Sequence, residues 1–214
     1  MAGLMMGGFL GVNISRMILR TESAKKPITI YYASIKISGD SREIKNFLAM
    51  RLLRDVAPQL LFDKNKQLIA TDKYGCPRLA VEYKEPLSLS FSYNGQELWA
   101  AVAGVDSLGI DVETSDNFLA PYPYNRAFLE DDLHLALSFC PKKEDAAALL
   151  WSCKEAAMKS RGTGFHCIDP RDVRILSCLQ DGHCMFRVTV ATPETISVVV
   201  HKKRHLWLAV TASG

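Results

Sequence analysis

Residues 109–113 are Gly-Ile-Asp-Val-Glu, a short alternation of apolar and acidic side chains in a chain of 214 residues. The alternation predicts a strand, because successive side chains on a strand point to opposite faces. Ile110 and Val112 then face a core, while Asp111 and Glu113 lie together on the other face. Two carboxylates held side by side repel each other, and Mg²⁺, which prefers oxygen ligands, relieves that repulsion. The same pattern also fits the solvated outer face of an amphipathic strand.

A second informative stretch follows some forty residues later. Residues 151–159 are Trp-Ser-Cys-Lys-Glu-Ala-Ala-Met-Lys, within a run of good helix formers that spans about 142–161. Trp151, Glu155 and Lys159 recur at every fourth residue, so they share one face of the predicted helix. Alone, this pattern also fits an ordinary Glu–Lys pair on a helix surface, which contributes little stability.

Together, the two stretches resemble the signature of the larger, surfactin-type 4′-phosphopantetheinyl transferases, in the variant written W-x-x-K-E-A. The resemblance is sharpest over residues 106–164. It implies an enzyme that moves the 4′-phosphopantetheine arm of coenzyme A onto a serine of an apo acyl, peptidyl or aryl carrier protein. It also implies Mg²⁺ as the cofactor, adenosine 3′,5′-bisphosphate as the second product, and a monomer.

The resemblance assigns roles to five residues of the two stretches. Asp111, Glu113 and Glu155 match the acidic residues that hold Mg²⁺ on the pyrophosphate of coenzyme A. Glu155 is also the candidate general base for the carrier serine, and Lys159 matches a lysine that stabilises or protonates the leaving phosphate. Lys154 matches a basic residue that contacts phosphate.

Two upstream segments depart from the family pattern. Gly75 begins a Gly-Cys-Pro turn where the family has G-K-P, so Cys76 replaces a lysine. Residues 88–92, Ser-Leu-Ser-Phe-Ser, resemble the family's S-x-S-H-S strand, but Phe91 replaces a histidine that contacts a phosphate of coenzyme A. Phenylalanine can neither donate a hydrogen bond nor carry a charge.

Coenzyme A contacts are therefore expected from Gly75, Ser90 and Ser92, and from Arg51 on the first predicted helix. Other candidates for its 3′-phosphate are Arg54, Lys73 and Arg78. The replacements leave an alternative open, in which the protein is a catalytically weakened family member that binds coenzyme A or carrier protein without efficient turnover.

The order of the predicted elements indicates an α+β fold. Strands are expected at 28–37, 87–93, 97–104, 108–113, 171–178, 184–190, 195–201 and 206–212, and helices at about 41–61, 126–138 and 142–161. Asn94-Gly95 predicts a two-residue hairpin turn. The resemblance implies a pseudo-twofold duplication into halves 21–104 and 105–214, the second carrying the catalytic motifs. Each half would pack one long helix on a small antiparallel-rich sheet, with the active site in the cleft between them.

The rest of the sequence indicates where the protein works and which partners it can have. Residues 1–20 begin with an apolar run that no basic residue precedes, so they are expected to be a disordered or misassigned extension rather than a signal peptide. No stretch is long and apolar enough to span a bilayer, which favours a cytoplasmic protein without membrane contact. The net charge of +3 is too small to indicate nucleic-acid binding but favours an acidic partner. The six cysteines are expected to be free thiols, and the basic run 202–205 a solvated hairpin tip.

Overall fold

The structure, a computed structural model, describes residues 12–19, 26–37, 41–61, 68–80, 83–95 and 97–213. Within these ranges the strands are β1 (Ser15–Leu19), β2 (Ile28–Lys36), β3 (Ile69–Thr71), β4 (Pro77–Leu79), β5 (Ser88–Asn94), β6 (Glu97–Ala103), β7 (Ser107–Thr114), β8 (Arg174–Gln180), β9 (Met185–Thr192), β10 (Glu194–Lys203) and β11 (Leu206–Ser213). The helices are α1 (Ser41–Val56), α2 (Tyr124–Ala127), α3 (Glu130–Leu137) and α4 (Lys143–Ser160). Short 3₁₀ turns lie at Pro58–Leu61, Ser115–Phe118 and Gly164–His166. The expected α+β class is confirmed.

The strands form two larger antiparallel sheets and a small hairpin. One sheet has the order β1-β2-β6-β5, the other β7-β11-β10-β9-β8, and β3 pairs with β4. Asn94 pairs with Glu97 across the predicted hairpin turn, where Gly95 has a φ of +56°. That left-handed conformation favours glycine, which explains the turn signal in the sequence. Helix α1 packs on β2 and β6, and α4 packs on β7 and β11.

Serine side chains join the two sheets where β5 lies beside β7. The Ile110 amide donates to Ser90 Oγ at 3.1 Å, and the Val112 amide donates to Ser92 Oγ at 3.2 Å. A core runs across this junction, because buried residues of β2 and β6 contact Ile110 and Val112 of β7. The alternation predicted for residues 109–113 is confirmed, and it fixes Asp111 and Glu113 at the boundary between the sheets.

Gly109 allows α4 to lie directly on β7. A Cβ atom at this position would come within 1.9 Å of the carbonyl oxygen of Ala156, so only glycine permits the contact. Alanines 146, 147, 148, 156 and 157 give α4 a buried face of small side chains. The helix that carries Glu155 is thereby held against the strand that carries Asp111.

Several boundaries differ from the sequence expectation. The predicted helix 126–138 is two helices, α2 and α3, because residues 128–129 adopt an extended conformation between them. Residues 15–19 form β1, which pairs with β2, so the expectation of disorder is wrong for this part of 1–20. Residues 1–11 and 20 lie outside the described residues. All six cysteines are free. No helix among the described residues is long and apolar enough to cross a membrane.

Candidate active site

Asp111 lies at the centre of the candidate site. Its side chain projects from β7 towards β5 and α4 and is nearly inaccessible, with 3% of the residue exposed. Its Oδ1 accepts hydrogen bonds from Ser92 Oγ at 2.8 Å and from Lys159 Nζ at 2.6 Å. Its Oδ2 is also buried but has no hydrogen-bond partner among the described residues. A buried carboxylate oxygen without a partner is costly, so this atom has unused capacity to bind a ligand.

Lys159 lies between two acids. Its Nζ is 2.6 Å from Asp111 Oδ1 and 3.8 Å from Glu155 Oε2. Burial opposes the charged form, but the carboxylates of Asp111 and Glu155 outweigh it and raise the pKa of Lys159 above its ordinary value. The lysine is therefore a fixed positive charge at the place where the two carboxylates converge.

Burial and the charge of Asp111 raise the pKa of both glutamates. Burial, followed by the charge of Asp111, raises the pKa of Glu113 from 4.5 to about 7, although Asn117 donates a hydrogen bond to this carboxyl at 2.8 Å. Burial also raises the pKa of Glu155, with Lys159 opposing the shift and Asp111 reinforcing it. A nearby cation would favour the ionised form of both groups.

The residues present suit a hard divalent cation in chemical type and charge. Three carboxylates supply oxygen donors, and the buried Oδ2 of Asp111 has no other partner among the described residues. Nevertheless, no group of three metal-binding side chains among the described residues is arranged closely enough to hold an ion as it stands. Asp111, Glu113 and Glu155 are neighbours that influence one another's charge without converging on one point, and Lys159 occupies part of the space between them.

Two adjoining cavities open beside this cluster. One, of about 480 Å³, is bounded by β4, the loop before β5 and the end of α4. The other, of about 410 Å³, is bounded by β5, the turn at 74–76 and residues 162–166, and both Glu155 and Lys159 line it. The two share five lining residues: Cys76, Pro77, Leu89, Lys159 and Gly162. An elongated ligand can therefore contact both cavities and Glu155, whereas Asp111 and Glu113 line neither cavity.

Some of the residues expected to bind coenzyme A line the cavities and others do not. Gly75 lines the second cavity with a φ of +78°, in a turn where Asp72 Oδ1 accepts from the Tyr74 and Cys76 amides. Ser90 lines the same cavity while its hydroxyl holds β7. Ser92 lines neither cavity, because its hydroxyl donates to Asp111; its role here is to position that carboxylate.

The expectation for Lys154 is wrong. Its side chain is fully buried, and its Nζ donates to Asp132 Oδ2 at 2.9 Å and to the carbonyl oxygens of Ala127 and Pro170, each at 3.0 Å. All three N–H donors are used inside the protein, so none is left for a phosphate. Lys154 instead ties α4 to α3 and to the segment before β8.

Arg51 is likewise not brought to the site. It lies on α1, its guanidinium is 3.9 Å from Asp55, and it lines neither cavity. Lys45, six residues earlier on α1, does line the second cavity, where its Nζ lies 5.8 Å from the ring centre of Phe91. The sequence contained a signal for it, because Lys45 precedes the buried Leu48 and Leu52 by three and seven residues and therefore flanks the sheet-facing side of the helix.

An aromatic pair was also missed by the sequence analysis. The rings of Trp151 and Phe165 stack with centroids 5.1 Å apart and an interplanar angle of 18°. Phe165 and His166 belong to the 3₁₀ turn after α4 and line the second cavity. The glycines at 162 and 164 mark this turn in the sequence, but nothing local indicates that it folds back over Trp151.

A protein-family model matches part of the chain. Residues 107–211, from the start of β7 into β11, match the family model of the 4′-phosphopantetheinyl transferase superfamily. The matched stretch contains Asp111, Glu113, Glu155 and Lys159. It confirms the resemblance at the level of the superfamily for this part of the chain and supports phosphopantetheine transfer as the general chemistry. No curated protein sequence matches the chain significantly.

Proposed function

We propose that the protein transfers 4′-phosphopantetheine from coenzyme A to a serine of an apo carrier protein in an Mg²⁺-dependent reaction. The proposal starts from the superfamily match over residues 107–211. The observation that carries the proposal is the convergence of Asp111 and Glu155 on Lys159 beside the two cavities, with Asp111 Oδ2 left unpaired. The second product would be adenosine 3′,5′-bisphosphate.

Asp111, Glu113 and Glu155 are the residues that would hold the magnesium ion. Bound there, the ion supplies neutralisation of the diphosphate charge during phosphoryl transfer. Ser92 and Lys159 fix the carboxylate of Asp111 through its Oδ1, which leaves Oδ2 available. The raised pKa values of Glu113 and Glu155 fit such a site, because a cation would lower the cost of their ionised forms.

Glu155 and Lys159 are proposed as the catalytic residues. The serine oxygen of the carrier forms a bond to the phosphorus that bears the pantetheine arm, and the bond from that phosphorus to the nucleotide oxygen breaks. Glu155 accepts the serine proton. Its pKa is raised towards neutral pH, which is where the pKa of a general base is most effective. Lys159 stabilises the negative charge that develops on the departing nucleotide oxygen.

Coenzyme A would extend through the two cavities. Lys45, rather than Arg51, supplies a positive charge at the wall of the second cavity and takes over phosphate binding that Phe91 cannot provide. The ring of Phe165, which lines the second cavity and is supported from behind by its stack on Trp151, offers an apolar surface for the adenine base. Gly75 and Ser90 form part of the same wall, and Arg78 and Arg161 line the other cavity.

The proposal includes the finer features implied by the resemblance. The protein would be a surfactin-type enzyme, a monomer that works in the cytoplasm, with two related halves meeting near residue 105. The presence of one long helix on each larger sheet and the position of both cavities between residues of the two halves support that reading.

The weakened family member stays a second candidate because of one specific observation. Phe91 and Cys76 line the cavity at the positions where the family carries a histidine and a lysine, so two cationic contacts are absent from it. Such a protein would bind coenzyme A or carrier protein but turn over poorly.

Intact-protein mass spectrometry tests the proposal. Apo acyl, peptidyl and aryl carrier proteins are incubated with coenzyme A, Mg²⁺ and the protein, with Asp111→Asn as the matched variant. We expect the wild-type protein to add phosphopantetheine to at least one carrier and the variant to add none. Binding of coenzyme A without any modified carrier would favour the second candidate, and neither binding nor transfer would refute both.

A further inference from the structure

A third cavity lies at the other end of β7. It has a volume of about 790 Å³ and opens between the β5–β6 turn and the β10–β11 turn. Its lining includes Thr114, the last residue of β7, whereas Ser107, the first, lines the cavity on the coenzyme side. We infer that this third cavity is a docking surface for an acidic segment of the protein substrate. The inference rests on the proposed function, because that substrate is the carrier protein.

The charge of the lining favours an acidic occupant. Four cationic residues contribute to it, namely Lys36, Lys202, Lys203 and Arg204, against two acids, Glu97 and Asp116. Lys202 forms an ion pair with Asp145. Within the part of the chain that the structure describes, the other three cations form no ion pair, and Lys36 and Arg204 are exposed.

The two hairpin turns that border the cavity differ in a way that indicates function. The β5–β6 turn has Asn94-Gly95, which suits the left-handed conformation of Gly95 at a φ of +56°. The β10–β11 turn places Arg204 in the same conformation, at a φ of +54°, which costs local stability because of its Cβ atom. Arginine therefore occupies a tip position where asparagine or glycine would make the turn more stable. Locally unfavourable residues of this kind are expected at binding sites.

The floor of the cavity holds the ammonium group of Lys203 and one buried donor, the indole N–H of Trp99, for which no described residue is an acceptor. Lys203 Nζ donates to Tyr32 Oη at 2.7 Å and lies 6.0 Å from the ring centre of Trp99. The indole N–H of Trp99 is buried and has no partner among the described residues, and only 7% of the residue is exposed. A carboxylate entering beside Lys203 would pair with its ammonium group in a charge-assisted hydrogen bond.

The position of this surface relates it to the catalytic cluster. Thr114 directly follows Glu113, and Asp116 precedes Asn117, whose side chain donates to Glu113 Oε2. A protein docked on the β10–β11 turn therefore lies beside the C-terminal end of β7, which carries Glu113. The first coenzyme cavity adjoins the N-terminal end of the same strand. The carrier protein and coenzyme A would then reach the cluster from different sides. This arrangement suits transfer of the phosphopantetheine arm from one to the other.

Steady-state kinetics of carrier modification test the inference. Arg204→Asn and Lys36→Gln remove charge from the surface, and Lys26→Gln removes an exposed charge before the opposite end of β2 as the control. We expect KM for the apo carrier to rise roughly two- to five-fold per charge removed, with KM for coenzyme A and kcat unchanged. The differences should shrink in high salt.

A stability measurement separates docking from folding. Arg204→Asn should leave Tm unchanged or higher, since asparagine tolerates the left-handed conformation better than arginine. An unchanged KM for the carrier in the Arg204→Asn/Lys36→Gln double variant, or an equal rise in Lys26→Gln, would overturn the docking surface alone. If the wild-type protein modifies no carrier at all, the proposed function fails and the docking surface fails with it.

Discussion

Glu113 offers a direct test of the electrostatics of the cluster in the absence of metal. Its pKa is raised from 4.5 to about 7 in the folded protein, first by burial and then by Asp111. The folded state therefore holds the proton more tightly than the unfolded state, and stability is lost as the pH rises from about 4.5 to about 7. Replacing Glu113 with glutamine removes this loss, while the amide oxygen can still accept from Asn117.

The expected gain follows from the size of the pKa change. A carboxyl with this pKa destabilises the folded state by about 3 kcal/mol above pH 7, and by about 2 kcal/mol once solvent screening of its partly exposed group is allowed for. For a protein of this length, Glu113→Gln should raise Tm at pH 8 by roughly 4–10 °C and leave it nearly unchanged at pH 4.5.

Thermal unfolding in a chelating buffer, followed by circular dichroism at pH 4.5, 6 and 8, measures the effect. Glu85→Gln, at an exposed position, serves as the control and should leave Tm unchanged at all three pH values. Adding Mg²⁺ at pH 8 should raise the Tm of the wild-type protein more than that of the variant, because the ion interacts best with an ionised Glu113. An equal Tm change at pH 4.5 and pH 8 would refute the assigned charge state.

Three further predictions follow from contacts outside Glu113. Gly109→Ala should destabilise the protein by about 3 kcal/mol, because the new methyl group collides with the backbone of α4; urea unfolding with an unchanged midpoint would contradict the close contact. Lys154→Met should cost about 3 kcal/mol, because it leaves the partly exposed Arg174, 3.6 Å away, as the remaining charged partner of the buried Asp132 among the described residues. Adding Asp132→Asn should recover part of this cost; equal stability of the single and double variants would argue against the pair. Lys45→Met should raise KM for coenzyme A roughly ten-fold, whereas Arg51→Met should not; equal effects in a transfer assay would remove Lys45 from the phosphate site.

Strand β7 was predictable because its signals are local. Alternation over residues 109–113 identified both the strand and the face shared by Asp111 and Glu113, and the Asn-Gly turn identified the β5–β6 hairpin. The helical spacing of Glu155 and Lys159 placed both on the face that meets β7. In each case, the period of a single element determines which side chains lie together.

Lys154 shows where such reasoning stops. It is adjacent to Glu155 in sequence, but one step along a helix turns the side chain by about 100°, so it points away from the cavities and into the packing against α3. Its partner Asp132 lies on another helix, and no pattern near either residue indicates the pairing. The edge strand β1 was missed for a similar reason, since its pairing with β2 depends on a partner that its own short sequence does not specify.

The charges around Asp111 indicate what the site needs in order to act on a diphosphate. When Glu113 and Glu155 are ionised, the three carboxylates and the ammonium group of Lys159 form a net negative cluster, which would repel the phosphates of coenzyme A. Burial, followed by the charge of Asp111, raises the pKa of Glu113, so its ionised form is costly in the absence of a nearby cation. Lys45, Arg78 and Arg161 line the cavities rather than the cluster, so they can attract the phosphates but cannot neutralise the acids. A divalent cation shared by the acids and the diphosphate removes the conflict, and the unpaired Oδ2 of Asp111 is an oxygen available to bind it.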